Sequence, residues 1–89
     1  MNTYRLILSS PCGTILDETV VNLALRGTEG DLAIMAGHIP FVTAVMPGKF
    51  RVERPDDTYI EGEIEGGLLT VSPEKVLLLS SSFTFDDLT

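Results

Sequence analysis

The sequence is short of the residues that build most catalytic and metal sites. Its 89 residues include one histidine, one cysteine and no tryptophan. One histidine and one cysteine, 26 positions apart, do not make a zinc site. The single cysteine, Cys12, cannot form an internal disulfide, which fits a reducing compartment. We therefore predict no metal and no other cofactor.

Basic residues and long apolar runs are scarce as well. Six Lys and Arg stand against thirteen Asp and Glu, giving a net charge of −7. That excess argues against binding a phosphate backbone or an anionic lipid surface. No run of roughly 20 apolar residues occurs, and the N-terminus lacks the features of a signal peptide. These absences predict a cytoplasmic protein with no nucleic-acid partner and no membrane insertion.

The chain is long enough for one domain, which we place at residues 1–89. Apolar and polar residues alternate in Thr3–Leu8, Val20–Leu25, Lys49–Arg54 and Tyr59–Glu65, as in strands with one wet face. Val76–Leu79 is continuously apolar and is predicted to be buried on both faces. No helical pattern is found.

Turn signals separate these runs at short, regular spacing. They are Ser10–Gly13, Arg26–Gly30, Met46–Gly48, Pro55–Asp57, Gly66–Gly67 and Ser72–Glu74. Many short strands divided in this way predict an all-β sandwich or barrel.

Few residues suggest chemistry. His38 would need a nucleophile and an orienting acid to act in catalysis, and no local signature supplies them, so a histidine bonded in a turn or facing a partner is favoured. Gly27–Gly30 resembles a phosphate loop only superficially, because no Lys-Ser/Thr pair follows. Glu61, Glu63 and Glu65 are interpreted as a solvated strand face.

The apolar run Leu32–Val45 exceeds what a small core can hold, which indicates a protein contact. The residues alone therefore predict a docking subunit.

Several segments occur in an order and spacing that identify a family. They are Gly27–Ile34, Gly37–Pro40, Thr43–Gly48, Glu65–Val71 and Lys75–Leu79. Together they resemble the epsilon subunit of F-type proton-translocating ATP synthases, called delta in mitochondria. The resemblance covers nearly the whole chain. It implies a flattened β-sandwich of about ten short strands without substantial helix.

The same resemblance implies a non-catalytic subunit of the central stalk. Such a subunit binds the gamma subunit and the c-ring of ATP synthase, and so couples proton-driven rotation to ATP synthesis. It would belong to a peripheral complex on the cytoplasmic face of the bacterial plasma membrane. Glu29, Asp31 and His38 match the family's c-ring-facing segments. Their loops would be shaped by three glycines and a proline, Gly27, Gly30, Gly37 and Pro40.

Two further expectations concern the end of the chain and the competing class of function. Many family members continue into a two-helix hairpin that inhibits ATP hydrolysis and in some binds ATP. The sequence stops at Thr89, where those helices would begin, so no nucleotide site is expected here. The alternative function is a stand-alone β-sandwich that binds a peptide or another ligand, although six aromatic residues offer few binding platforms.

Overall fold

A computed structural model describes residues 2–27, 30–37 and 39–86 of the protein. Within these ranges the chain forms ten β-strands and no helix, and therefore no helix that could cross a membrane. The strands are β1 (Tyr4–Ser10), β2 (Gly13–Val20), β3 (Asn22–Gly27), β4 (Gly30–Met35), β5 (Phe41–Val45), β6 (Gly48–Glu53), β7 (Tyr59–Ile64), β8 (Gly67–Val71), β9 (Lys75–Ser80) and β10 (Phe83–Phe85). The all-β fold class predicted from the sequence is confirmed.

Strand pairing is continuous, in the order β10-β7-β6-β3-β5-β8-β9-β1-β2, with β4 on the free side of β3. The link between β3 and β5 is a single residue pair, Gly27 with Val45. The sheet folds over at this link into two layers. The first layer is β4-β3-β6-β7-β10, and the second is β5-β8-β9-β1-β2. Pairing is antiparallel except between β1 and β9.

The core lies between the two layers and is made by alternate residues of nearly every strand. The largest fully buried side chains are Leu6, Leu8, Val20, Leu23, Ile34, Val52, Leu69 and Leu78. Phe50 adds edge-to-face ring contacts with Phe83 and Phe85 of β10, at centroid distances of 6.1 and 5.8 Å. The short last strand is therefore fixed by aromatic packing as well as by its pairing with β7.

Two sequence expectations need correction. Val20–Leu25 is not one strand, because Val20 ends β2, Val21 forms the connection, and β3 begins at Asn22. The apolar run Val76–Leu79 is not buried on both faces. Val76 and Leu78 point into the core, whereas Leu79 is 39% exposed on the outer side of the second layer. A continuous apolar run indicates that both faces of a strand are hydrophobic, but it does not show that the same chain covers both faces.

Candidate docking surfaces

The turns gather at the two ends of the sandwich. One end, the hairpin end, carries the β3–β4 hairpin tip with the β1–β2, β5–β6 and β7–β8 turns. The far end carries the β4–β5, β6–β7 and β8–β9 connections. All six turn signals of the sequence fall between strands as predicted.

Three of the predicted site residues lie at the hairpin end. Gly27 and Gly30 are paired across the tip, and Asp31 is paired with Arg26 one step further along. Gly30 has a φ of +128°, a conformation that favours glycine. A Cβ on Gly27 would stand 2.8 Å from the Leu32 Cδ1 atom, so a side chain there would require Leu32 to shift. Glu29 lies outside the described residues.

Asp31 and Arg26 form a loose ion pair at this tip. The Arg26 Nε and Asp31 Oδ1 atoms are 3.7 Å apart, beyond hydrogen-bonding distance. The side chains are 66% and 87% exposed, so water screens the pair and both groups remain available to a partner. The tip therefore presents a cation as well as an acid, and the cation was not singled out from the sequence.

The other predicted residues lie at the far end. Gly37 has a φ of +88° in the turn after β4, and Pro40 is exposed immediately before β5. His38 lies outside the described residues. The five-residue step from Gly30 to Met35 along β4 spans about 17 Å, so the structure does not bring Gly37 and Pro40 together with Asp31. The two predicted loops face opposite ends of the sandwich.

The outer face of the second layer is largely apolar over four neighbouring strands, β5, β8, β9 and β1. Register places Ala44, Leu68 and Leu79 in one row across β5, β8 and β9. The next row contains Val42, Thr70, Leu77 and Ile7. Val42 is 62% exposed and Leu68 is 43% exposed. We call these residues the apolar face. Contiguous exposed apolar side chains of this kind mark protein contacts.

The outer face of the first layer has the opposite character. Arg51 of β6 stands beside Glu61 of β7 at 3.9 Å and lies over the Tyr59 ring, 3.9 Å from its centroid. Lys49 and Glu63 are paired in register on the same strands. The alternation of Lys49–Arg54 and of Tyr59–Glu65 predicted this wet face correctly.

Ser80 is a structural residue that the sequence reasoning missed. It is 6% exposed, and its hydroxyl donates to the Gly66 carbonyl oxygen at 2.6 Å. Gly67, beside it, has no room for a Cβ, which would overlap the carbonyl oxygen of Leu79. The available signal was parity, because Ser80 continues the inward series of Val76 and Leu78. The Ser80 hydrogen bond holds the β7–β8 turn against the end of β9.

Metal-binding groups do not converge in the described part of the chain, where no three His, Cys, Asp or Glu side chains are placed to hold an ion. Cys12 is exposed at the β1–β2 turn.

Comparison with known proteins identifies the family. Residues 3–86 match the family described as the ATP synthase, Delta/Epsilon chain, beta-sandwich domain. The chain is 34% identical over 80 residues to the sodium-ion-specific ATP synthase epsilon chain of Acetobacterium woodii, covering 90% of this chain and 60% of that protein. It is 31% identical over 90 residues to the epsilon chain of Wolbachia pipientis, covering 100% and 80%.

Solved structures are similar as well. A chain of the Euglena gracilis mitochondrial ATP synthase, from a structure of its OSCP/F1/c-ring, superposes with a TM-score of 0.88 at 26% identity. The match covers 93% of this chain and 53% of that one. A chain from the central stalk and c-ring of the Tetrahymena thermophila mitochondrial ATP synthase shares the fold, with a TM-score of 0.76 at 13% identity and coverage of 92% and 66%.

Proposed function

This chain belongs to the ATP synthase delta/epsilon family, and we propose that it is a non-catalytic central-stalk subunit that binds the gamma subunit and the c-ring. In this role it couples proton-driven rotation of the ring to ATP synthesis. The epsilon chains it resembles are bacterial, which supports a place in a peripheral complex on the cytoplasmic face of the plasma membrane. The chain spans 60% of the Acetobacterium protein, so these roles are proposed for this domain.

The apolar face is the observation that carries the proposal. Leu68 and Leu79 are neighbours across β8 and β9, and 43% and 39% of their surfaces are exposed. Apolar surface released from water contributes about 25 cal/mol per Å² to association. A strand such as β9, apolar on both sides, is expected to have both sides covered. The core covers one side, and we assign the gamma subunit to the other.

The hairpin end is assigned to the c-ring. Asp31 is 87% exposed there, and its pairing with Arg26 is loose enough to be exchanged for a contact with a polar loop. Glu29 belongs to the same proposed contact through its place in the sequence. His38 stays in the proposal through its place in the sequence, next to Gly37. Since Gly37 lies at the opposite end of β4 from Asp31, such a contact needs a partner that extends along the sandwich.

The experiment is a binding measurement between the full chain and the gamma subunit from the same source. Calorimetry should give a one-to-one complex. Leu79→Lys places a charge in the apolar face, and we expect it to weaken the complex at least tenfold, because association would remove the charged lysine from water. The matched control is Thr84→Lys, which adds the same charge to the exposed outer side of β10 in the first layer.

Two results would overturn the assignment. One is an unchanged affinity of Leu79→Lys while its circular dichroism and unfolding midpoint match those of the parent chain. The other is equal weakening by Leu79→Lys and Thr84→Lys, which would show that net charge and not the apolar face controls binding. Absence of any complex at tens of micromolar, with both proteins folded, would reject the stalk role itself.

A further inference from the structure

The first layer splits at the hairpin end. Strands β3 and β6 run side by side for three residue pairs, of which the last is Ala24 with Arg51. Beyond that pair β3 crosses to β5, where Gly27 meets Val45. Residues 48–50 of β6 pair with β7 only. A cleft of about 480 Å³ opens between the separating strands.

Two cations line this split from opposite strands, Arg26 on β3 and Lys49 on β6. Extending the register beyond Ala24 and Arg51 by two residues would place Arg26 opposite Lys49. Like charges directly opposite each other destabilise paired strands. Because β3 leaves β6 at this point, the two cations are separated by open space. Arg51 lines the same cleft, so the cleft holds three of the six cations in the chain.

Three acids, Asp31, Glu61 and Asp86, line the same cleft, but they leave these cations with donors to spare. Asp31 is 3.7 Å from Arg26, and Glu61 is 3.9 Å from Arg51, so neither guanidinium is held by a close hydrogen bond there. Lys49 has no ion pair within 4.0 Å among the residues that the structure describes. Asp86 also lines the cleft, and its backbone N–H donates to the Glu61 carbonyl oxygen at 2.8 Å.

Charge alternates across the layer except at the cleft. The order from the β4 edge is Asp31, Arg26, the gap, Lys49 and then Glu63, by register. An anion in the gap would complete the alternation. Phe50, only 2% exposed, also lines the cleft and provides an apolar wall that strengthens a polar contact beside it.

We propose that this cleft binds a small tetrahedral oxyanion of the phosphate class, held between Arg26 and Lys49 with Arg51 as a third contact. Guanidinium groups present paired donors that suit phosphate oxygens, and the lysine adds a point charge. The volume lies within the roughly 300–1,000 Å³ of small-molecule sites. Arg26 also lies at the hairpin end assigned to the c-ring, but Lys49 and Arg51 belong to neither proposed stalk contact, so the proposal does not depend on the stalk role.

The test is an NMR titration of the full chain with sodium phosphate at pH 7.5, with ionic strength held constant by sodium chloride. We expect saturable shifts of the amides of Gly48–Arg51. Lys49→Gln and Arg26→Gln should each weaken the binding at least fivefold. The matched control, Lys75→Gln, removes the same charge from β9 in the other layer and should leave the binding unchanged.

The titration distinguishes a specific phosphate site from a general effect of charge. Shifts that rise linearly without saturation, or that Lys75→Gln reduces as much as Lys49→Gln does, would overturn the proposal. A parallel titration with sodium acetate tests the class of anion. Equal affinity for acetate would reject the preference for a tetrahedral oxyanion. Because no gamma subunit is present, failure here leaves the proposed stalk function untouched.

Discussion

Arg54 donates two hydrogen bonds to the carboxylate of Glu18, at 2.9 and 3.0 Å. Glu18 lies on β2 in the second layer, whereas Arg54 directly follows β6 in the first. The side chains are 33% and 32% exposed, so the pair is partly shielded from water. Beside it, the Val21 N–H donates to the Glu53 carbonyl oxygen at 2.8 Å. The two layers are thus joined by a polar link at the far end and by the Gly27–Val45 pair at the hairpin end.

Arg54→Gln should loosen this link. We expect the free energy of unfolding to fall by about 1 kcal/mol, because the substitution removes two charge-assisted hydrogen bonds that are only partly screened by water. Urea denaturation followed by circular dichroism measures the change. The control is Arg5→Gln, which removes an equally well-formed pair with Asp17 that joins neighbouring strands of one layer and is more exposed. Equal decreases in the two variants would contradict a special role for the link between layers.

Leu78 and Leu79 are adjacent in β9, but truncation should destabilise the protein at Leu78 far more than at Leu79. Leu78 is fully buried in the core, so Leu78→Ala should lower the free energy of unfolding by about 2–5 kcal/mol. Leu79 projects from the apolar face, and Leu79→Ala should change stability by no more than about 0.5 kcal/mol. Chemical denaturation of the isolated chain provides both values. A large decrease from Leu79→Ala would mean that its side chain is covered within the chain after all.

This pair of leucines also shows how far sequence reasoning reaches. The two-residue period of Lys49–Arg54 was enough to predict which side chains point inward, because alternation is local. The continuous apolar run of β9 carries no period, so the sequence could not say that its second face lies open. Parity with Val76 and Leu78 placed Ser80 inward, but its hydrogen-bond acceptor, the Gly66 carbonyl oxygen, is distant in sequence and has no local signal.

The turn positions of the candidate site were predictable from the sequence, but their arrangement in the fold was not. Gly30 and Gly37 were recognised as turn positions, and both have positive φ angles. Their turns lie at opposite ends of the sandwich because β4 runs the length of the layer between them. The two turn motifs alone do not contain this information. The cleft beside Lys49 depends on the departure of β3 to β5, a long-range pairing with no local signal.

Tyr4 provides a test of the packing between layers under alkaline conditions. Its hydroxyl donates to the Ile34 carbonyl oxygen at 2.5 Å, from β1 to β4. Burial raises the pKa of Tyr4 well above its ordinary value. The unfolded chain loses this proton near pH 10 and the folded chain does not, so stability should fall as the pH rises above about 10.

The measurement is an ultraviolet titration of Tyr59→Phe, in which Tyr4 is the remaining tyrosine. We expect no tyrosinate absorbance near pH 10 while the protein stays folded. Tyr4→Phe should remove that alkaline decline in stability and also cost about 1 kcal/mol at neutral pH, because the hydrogen bond to Ile34 is no longer made. Ordinary ionisation of Tyr4 in the folded chain would show that the phenol is not buried between the layers.

Asp31 tests the proposed contact with the c-ring. Asp31→Lys reverses the charge at an 87%-exposed position of the hairpin tip and places it beside Arg26, so a ring loop that offers a cation should bind less tightly. The measurement uses isolated c-rings and a complex of this chain with the gamma subunit. We expect Asp31→Lys to weaken the affinity of that complex for the ring at least fivefold at about 50 mM salt. The difference in affinity between the variant and the parent chain should shrink as salt is raised. The matched control is Glu74→Lys, an equal charge reversal in the β8–β9 turn at the far end. Equal weakening by Glu74→Lys and Asp31→Lys would show that net charge and not the hairpin end controls binding. Weakening by Glu74→Lys alone would make the far-end turn with Gly37 and Pro40 the better candidate.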